Sequence, residues 1–488
     1  MLREPPRVCR LLFRMPSRTA LLLLVLLFMP FGNISSRAGA ALDSETMSIY
    51  SGGQRVGASL YTIRKEGDSS EVFEKTSIRI KLLDKVQDVS TEGTYHIAGG
   101  EVKSFEYEFD SPSGGMKLTG ERAEGGYRIK TDSVSGGSEI FFKTSFSPIP
   151  AALIPEWLSS RELKAGAEYK VPIMDPLTIV SGGDENALLT VHRVNGREKV
   201  EVPGLGSIDA WKIISDISGM EMTSWLTDSG IIVKQEMPPG LTAYKDAEAD
   251  KAGGLEVFDI TELTSIPSDV RLDDPRGTTY LKAEISGLSS GNGFNLSDGY
   301  RQFANGDTIE IKAEGPDGNG SYDTPYKGGL EEYMGPGPLV DSAAPEIVAA
   351  AAEITGKEKD AGKAAALIND WVFRNIKKEG TASVPNALDV LKTRSGDCNE
   401  HSALYAALAR AAGIPTKTVS GTIYIDGRFY YHAWNEVYVG KWVAVDSAFG
   451  QMPADATHIK LIEGNLSDTS RIMKVVGKIN LSILEASQ

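Results

Sequence analysis

Cysteine is scarce in this chain, which has two cysteines, Cys9 and Cys398, among 488 residues. Cys9 lies in an N-terminal segment that has the pattern of a cleavable leader, so the mature chain would carry one thiol. A single thiol excludes an internal disulfide, even in an oxidising compartment. Cys398 therefore either packs in a core or does chemistry.

Long apolar runs are also rare, and the prominent one lies near the N-terminus. Five arginines precede the run ALLLLVLLFMPF, and Ala38-Gly39-Ala40 follows it. A basic start, an apolar core of about a dozen residues and an A-x-A site are typical of a secretory signal peptide. We expect residues 1–40 to be removed and the protein to be periplasmic or extracellular, or membrane-anchored if the leader is kept.

The chain has fewer basic residues than acidic ones. The sequence has 51 Lys and Arg against 66 Asp and Glu, a net charge of −15. Removing residues 1–40 takes away six Arg and one Glu, which shifts the net charge to about −20. We therefore expect no nucleic-acid partner, and an acidic balance of this size mainly favours solubility. The length predicts two to four domains.

Period-2 alternation dominates the first half of the mature chain. Segments such as SLYTIRK, SIRIKLL and GIIVKQEM alternate apolar and polar residues between clusters of Gly, Ser, Asp and Asn. This pattern predicts an antiparallel β domain at residues 41–270, either a curved sheet or a half-barrel. The stretch DAWKIISDISGMEMTSWLTDSGIIVKQEM resembles the half-barrel sheets of exported proteins related to lipoprotein carriers. We expect a scaffold or docking role there, with an envelope protein as a possible partner.

The remaining chain divides into three parts. Residues 271–340 contain two strand-like runs and a Gly/Pro-rich connection, and residues 466–488 form a C-terminal extension. Between them, residues 341–465 change to a helical period and predict an α+β domain. AAPEIVAAAAEITG predicts a helix that Asp341 or Ser342 caps, and KDAGKAAALINDWVFRNIKKEG and PNALDVLKT predict two more.

Cys398 lies at the start of a further apolar helix, in the stretch SGDCNEHSALYAALARAAGIP. Asp397 followed three residues later by Glu400 predicts a capping box, with Asp397 as the N-cap and Cys398 as the first helical residue. Free backbone N–H groups and the helix dipole favour a thiolate there. We therefore expect a thiol pKa below its unperturbed value of about 8.5.

A nucleophilic thiol needs a base and a group that orients the base, and a downstream hairpin offers both. FYYHAWNEVYV carries His432, and WVAVDSAF carries Asp446. A two-residue turn would place these side chains on opposite faces, whereas a three-residue turn makes them diagonal neighbours about 7 Å apart. We predict an odd-length turn at residues 439–441 or a single-residue bulge, with Asp446 bonded to one ring nitrogen of His432 and the other nitrogen facing Cys398.

These motifs, GDCNEHSALYAALARAAGIPTKTVSG and YYHAWNEVYVGKWVAVDSAFGQ, resemble the core of the transglutaminase-like superfamily, whose members are similar to papain in fold. The resemblance covers roughly 120 residues. It implies a papain-like α+β domain in which Cys398 is the nucleophile, His432 the base and Asp446 the orienting acid. It also implies an exported cysteine protease or acyltransferase that acts on protein or peptide amides through a thioester, without a metal or another cofactor.

Several alternatives stay open at this stage. His401, one helical turn after Cys398, is a rival base, although it has no carboxylate partner within one hairpin. The stretch ADATHIKL, which carries His458, also resembles bacterial members of the superfamily, but gives His458 no role. We favour hydrolysis by a peptidase or deamidase over transamidation, because no amine site is visible. The alternative function is a non-catalytic binding or envelope-assembly protein with a vestigial papain-like domain.

Overall fold

The computed structural model describes residues 41–82, 85–217, 219–246, 254–288, 294–313, 321–464, 468 and 470–488. The predicted signal peptide, residues 1–40, lies outside these ranges. Within them, no helix combines the length and the apolar character that crossing a bilayer requires.

One large antiparallel sheet occupies the first half of the described chain. Its strands are β1 (Ala41–Ser51), β2 (Gln54–Glu66), β3 (Ser69–Leu82), β4 (Lys85–Ala98), β5 (Glu101–Asp110), β6 (Met116–Ala123), β7 (Gly126–Ser133), β8 (Gly136–Lys143), β9 (Glu168–Pro172), β10 (Leu189–Val202), β11 (Gly206–Ile217), β12 (Met220–Leu226), β13 (Ile232–Met237), β14 (Leu241–Lys245) and β15 (Phe258–Asp259). Hairpins run from β8 to β1 and from β14 to β9, and β1 pairs with β14. β15 joins β3 in parallel. The sheet curls into a half-barrel, which confirms the predicted fold class for this part.

Two short helices pack against this sheet, α1 (Ile154–Ser159) and α2 (Pro176–Val180). Their buried Leu158 and Leu177 belong to the same apolar cluster as Tyr61 and Tyr127 of the strands. Burying such side chains contributes roughly 1.5–3 kcal/mol each.

Glu74 is half-buried beside this core and should make the stability of the sheet depend on pH. Its Oε1 accepts a hydrogen bond from the Ala152 N–H at 2.9 Å. Burial, reinforced by the Asp175 carboxylate, raises the pKa of Glu74 from 4.5 to about 7. The unfolded chain releases this proton at lower pH than the folded chain, so the stability is full below pH 4.5 and is lost as the pH rises through 7.

Replacing Glu74 by glutamine is therefore expected to stabilise the protein at pH 8 by up to about 3 kcal/mol, with little effect below pH 4.5. Urea unfolding at pH 5 and pH 8 measures the difference. The exposed Glu108, changed to glutamine, is the matched control. Equal pH dependence in wild type and Glu74→Gln would show that Glu74 titrates normally.

Four helices dominate the region after residue 340: α4 (Pro345–Thr355), α5 (Ala361–Asn375), α6 (Ala387–Thr393) and α7 (Cys398–Ala411); a short α3 (Ile260–Leu263) precedes them in the chain. A two-residue parallel pair, β20 (Lys377–Lys378) and β21 (Ser395–Gly396), leads into α7. The helices share an apolar core with the hairpin around residues 437–445. All four helices that the sequence predicts in this region are present.

One helix cap in this region differs from the prediction. The N-cap of α4 is Ala344, which has no side-chain cap, so neither Asp341 nor Ser342 caps the helix. Asp341 instead accepts a hydrogen bond from the Ala343 N–H at 3.1 Å. This local Asx turn uses the carboxylate before the helix begins, and Pro345 at the first helical position needs no N–H partner.

A second sheet lies beside α7 and carries the downstream motifs. Its strands are β16 (Ile266–Pro267), β22 (Thr416–Ile425), β23 (Arg428–Tyr438), β24 (Trp442–Val445) and β25 (Ile459–Glu463). Their order is β16-β23-β22-β25. β24 also pairs with β23, nearer to the C-terminal end of β23 than β16 does. A Cβ at Gly421 would lie 2.0 Å from the Ile459 carbonyl oxygen, so glycine permits the close approach of β22 and β25.

Four strands form a third sheet, which we call the accessory sheet: β17 (Tyr280–Ser286), β18 (Gln302–Asn305), β19 (Thr308–Lys312) and β26 (Asn480–Ser487). Their order is β18-β19-β17-β26, with antiparallel neighbours. The C-terminal strand therefore pairs with a strand that lies some 200 residues earlier in the chain, before the helices. The structure joins two segments that the sequence analysis treats separately, residues 271–340 and 466–488.

Candidate active site

Cys398 is the first residue of α7, as the sequence predicts. The Asp397 carboxylate accepts a hydrogen bond from the Asn399 N–H at 2.8 Å, and Glu400 Oε2 accepts one from the Asp397 N–H at 2.9 Å. The predicted capping box is therefore confirmed. Glu400 Oε1 accepts a further hydrogen bond from the Ser383 hydroxyl at 2.6 Å, which ties the helix start to the preceding loop.

The thiol of Cys398 is enclosed, with a relative exposure of 0%. It packs against Ala433, the neighbour of His432, and against Ala448 and Phe449. Burial, with the nearby Asp397 carboxylate, raises the pKa of this thiol well above its ordinary value, although the Ala433 backbone amide favours the thiolate. The predicted lowering of the pKa is therefore wrong for this enclosed state, because desolvation outweighs the helix start.

The hairpin has the predicted odd-length turn. Tyr438 lies opposite Trp442, so the turn comprises residues 439–441, and its central glycine has a φ of +96°. Left-handed backbone at that position favours glycine. His432 Nε2 is 2.8 Å from Asp446 Oδ2. The predicted register and the predicted hydrogen bond are both confirmed.

Asp446 has a second imidazole partner that the sequence analysis did not assign. His458 Nε2 is 2.9 Å from the same Oδ2 atom. The other carboxylate oxygen, Oδ1, accepts hydrogen bonds from the N–H groups of Ala448 at 2.8 Å and Phe449 at 3.2 Å. Burial opposes ionisation, but the His432 and His458 contacts hold the pKa of Asp446 well below its usual range.

The two candidate bases differ in their partners. Burial lowers the pKa of His432, and the Asp446 carboxylate opposes that shift. His401 Nδ1 is 2.6 Å from the Asp397 carbonyl oxygen of its own helix. Burial also lowers the pKa of His401. Among the described contacts, the His432 imidazole is hydrogen-bonded to a carboxylate, whereas the His401 imidazole is hydrogen-bonded to a backbone carbonyl.

One group of side chains in the described ranges has the composition of a metal site. His432, Asp446 and His458 bring their ligand atoms within 4.8 Å of one another. The two imidazole nitrogens lie at hydrogen-bond distance from one carboxylate oxygen, 2.8 and 2.9 Å. Protons between these atoms account for both distances. We therefore describe the group as hydrogen-bonded and assign no metal ligands.

A cleft of about 510 Å³ opens beside the start of α7. Asn399, Ser402 and Ala433 line its side nearest the cysteine, and residues 335–340 form the facing wall. The Arg410 guanidinium donates a hydrogen bond to the carbonyl of the first residue of that wall at 3.2 Å. An extended peptide could enter this cleft next to Cys398.

Phe449 covers the enclosed site. Its ring meets the His432 imidazole edge-on, with centroids 5.7 Å apart. Two cations lie over the same ring, Arg276 at 4.8 Å and Lys378 at 5.6 Å. Together these contacts hold the ring over the imidazole and the thiol.

Replacing Phe449 by alanine is expected to speed alkylation of Cys398 by roughly tenfold. Loss of one aromatic pair and two cation–π contacts lowers the cost of opening by about 1–2 kcal/mol. Iodoacetamide labelling at fixed pH, located by mass spectrometry, measures the rate. Phe141→Ala, at an exposed ring in the large sheet, is the control. An unchanged rate in Phe449→Ala would mean that another group limits access.

Known proteins resemble part of this chain. Residues 348–447 match the transglutaminase-like superfamily, and this range contains Cys398, His432 and Asp446. Kyphoscoliosis peptidase of Mus musculus is 35% identical over 83 residues, which are 15% of this chain and 12% of that protein. This chain thus spans a small part of that relative's length.

Two crystal structures were also matched. A proposed cysteine protease from Cytophaga hutchinsonii has 18% identity and a TM-score of 0.31, covering 43% of this chain and 86% of that one. A proposed protease from Parabacteroides distasonis has 12% identity and a TM-score of 0.21, covering 75% of this chain and 67% of that one.

Proposed function

We propose that this protein, whose residues 348–447 form a transglutaminase-like domain, is a cysteine enzyme that cleaves amide bonds of proteins or peptides. The observation that carries the proposal is the 2.8 Å contact between His432 Nε2 and Asp446 Oδ2. The three-residue turn makes this contact possible, and both residues adjoin groups that pack on Cys398. A buried cysteine without a chemical role needs no such pair beside it.

In this mechanism the substrate enters the cleft and displaces the Phe449 cover. His432, with Nε2 bonded to Asp446, uses Nδ1 to take the proton from the Cys398 thiol. The sulfur attacks the amide carbonyl, and the Cys398 backbone N–H at the start of α7 stabilises the oxyanion. His432 returns the proton to the leaving nitrogen, which departs as an amine. The carbonyl carbon then remains bonded to sulfur as a thioester.

The second half of the reaction determines the enzyme class. His432 takes a proton from water, the hydroxide oxygen attacks the thioester, and the thiol is released with a carboxylic acid. An amine in place of water gives a new amide instead. We propose hydrolysis, by a peptidase or deamidase, because the two cationic side chains in the cleft beside Cys398 already have partners. Lys417 forms an ion pair with Glu463, and Arg410 donates hydrogen bonds to backbone carbonyls.

The setting of the reaction is also part of the proposal. The leader-like pattern of residues 1–40 supports export to the periplasm or beyond, or membrane anchoring if the leader is kept. The half-barrel sheet supports docking to an envelope protein. The start of β4 and the end of β5 contact the loop between β20 and α6, where Gln87 and Ser111 donate hydrogen bonds to the carbonyls of Gly380 and Ala382. Ser383 of the same loop donates to Glu400 in the first turn of α7. A docked partner would thus lie close to the start of the cysteine helix.

A peptide library incubated with the purified protein, with and without an added primary amine, tests the reaction. Mass spectrometry distinguishes cleavage, deamidation and amine incorporation, since each changes the product mass differently. Cys398→Ala is the control, because alanine fills most of the thiol's volume in the core. Products that form equally with Cys398→Ala would refute the cysteine mechanism, and amine incorporation as the main product would refute hydrolysis.

One observation favours a second candidate function, a binding or assembly protein with an inactive triad. Cys398 is fully enclosed and its thiol pKa is raised by burial. An inactive site would leave the thiol unlabelled by a peptide-based electrophile that fits the cleft. Labelling of wild type, with loss of labelling in His432→Ala, would exclude this candidate.

A further inference from the structure

Two imidazoles share one carboxylate oxygen at the candidate site. His432 Nε2 and His458 Nε2 lie 2.8 and 2.9 Å from Asp446 Oδ2, and their ring centroids are 5.7 Å apart. An ionised carboxylate only accepts hydrogen bonds, so both Nε2 atoms carry protons. A neutral His432 then has its lone pair on Nδ1.

His458 is held from its other side by a second carboxylate. Its Nδ1 is 3.1 Å from the Asp455 carbonyl oxygen and 3.4 Å from Asp455 Oδ1. Asp455 also forms an ion pair with Arg276 at 3.0 Å and accepts a hydrogen bond from the Thr457 N–H at 2.9 Å. The side chains of His458, Asp446 and Asp455 are at most 2% exposed, and that of Arg276 is half-buried.

The loop that carries His458 is fixed by Arg301 and Gln302, at the start of β18 in the accessory sheet. The Arg301 guanidinium donates to the His458 carbonyl at 2.8 Å and to the Asp455 carbonyl at 2.6 Å. The Gln302 side chain donates to the Lys460 carbonyl and accepts from its N–H, both at 2.8 Å. A buried arginine and a buried glutamine therefore hold the backbone on both sides of His458.

The charges of this cluster balance when His458 is an imidazolium. Asp446 and Asp455 carry negative charge, and Arg276 and His458 carry positive charge, so the four groups sum to zero. Other titratable groups that interact with Asp446 are Cys398, Lys378 and His401. The Asp455 carbonyl oxygen beside Nδ1 and the ionised Asp446 oxygen beside Nε2 can only accept hydrogen bonds, so both ring nitrogens of His458 donate and the ring is an imidazolium.

We propose that His458 is a positioning residue: as an imidazolium it fixes Asp446 Oδ2 and keeps the His432 proton on Nε2, so that His432 Nδ1 carries the lone pair that acts as the base. The inference rests on the proposed function, in which His432 is that base. The directions of the pKa shifts agree with the geometry. Burial lowers the pKa of His458, but Asp455 and Asp446 hold it above its ordinary value. The His458 charge in turn lowers the pKa of His432.

Histidine NMR of the wild-type protein tests the first half of this inference without any variant. The chain has five histidines, so ¹³C-labelled imidazoles can be assigned by single substitutions. We expect the His458 signal to remain that of an imidazolium at pH 7.5, when His432 is neutral. A neutral His458 at pH 7.5 would overturn the inference.

His458→Gln tests the second half, because glutamine can still donate one hydrogen bond to Asp446 but carries no charge. We expect the pKa of His432 to rise by about one unit or more, the effect of losing a cation within about 6 Å. His192→Gln, at a buried imidazole in the large sheet, is the matched control. An unchanged His432 pKa in a folded His458→Gln protein would mean that His458 has only a packing role.

Asp455→Asn provides an independent variant if His458→Gln does not fold. Removing the Asp455 charge is expected to lower the pKa of His458 by about one unit. An unchanged His458 pKa would overturn the assignment of Asp455 as its partner. These titrations need no substrate, so they remain readable if the peptide assay fails and the proposed function is wrong. If the peptide assay succeeds, the acidic limb of the kcat/KM profile should shift to higher pH in His458→Gln, because the base must be neutral to act.

Discussion

His432→Ala is expected to lower the rate of amide cleavage by a factor on the order of 10² to 10⁴. The imidazole takes the Cys398 proton and returns it to the leaving nitrogen, so its loss affects both proton transfers. Asp446 would also lose one of its two imidazole partners. The measurement is kcat/KM for a peptide identified in the library experiment.

His401→Ala is the matched control for this prediction. His401 is a buried imidazole on the same helix as Cys398, but its Nδ1 contacts the Asp397 carbonyl oxygen rather than a carboxylate. We expect its removal to change kcat/KM by less than about tenfold, through packing near the thiol. A larger loss in His401→Ala than in His432→Ala would reverse the assignment of the base.

The sequence predicts this site well where local rules determine the structure. A capping box depends on residues three apart, so Asp397 and Glu400 place Cys398 at the first turn without any tertiary information. The register of the hairpin depends on the side-chain period of two and on the length of the turn. His432 and Asp446 must share a face for the pair to form, and this requirement selected the three-residue turn.

The parts that the sequence does not predict depend on contacts between distant segments. His458 meets Asp446 only because β25 pairs with β22 and the loop before it folds back, which no periodicity reveals. Arg276 and Arg301 reach that loop from more than 150 residues earlier. The thiol pKa was predicted in the wrong direction because a helix start is a local feature, whereas burial by Ala433, Ala448 and Phe449 is not.

Lys460→Met is expected to lower the free energy of unfolding by about 3–5 kcal/mol, the typical cost of leaving buried charges without their partner. Lys460 Nζ lies 3.1 Å from Glu436, 3.3 Å from Asp298 and 3.6 Å from Glu463. The side chains of Lys460, Glu436 and Asp298 are at most 5% exposed. Burial lowers the pKa of Lys460, but these carboxylates outweigh it and hold the pKa above its ordinary value.

Methionine has nearly the length of lysine, so Lys460→Met removes the charge with little change in packed volume. Asp298 lies between β17 and β18 of the accessory sheet and Glu436 lies in β23, so the lost cation also loosens the segment that fixes the His458 loop. Lys282→Met is the matched control, because the Lys282–Glu310 pair at 2.8 Å is 35% and 41% exposed, and a solvated surface pair adds little to stability. Urea unfolding of both variants measures the contrast. Similar losses in the two variants would show that the Lys460 cluster is hydrated and that its carboxylates do not depend on the buried cation.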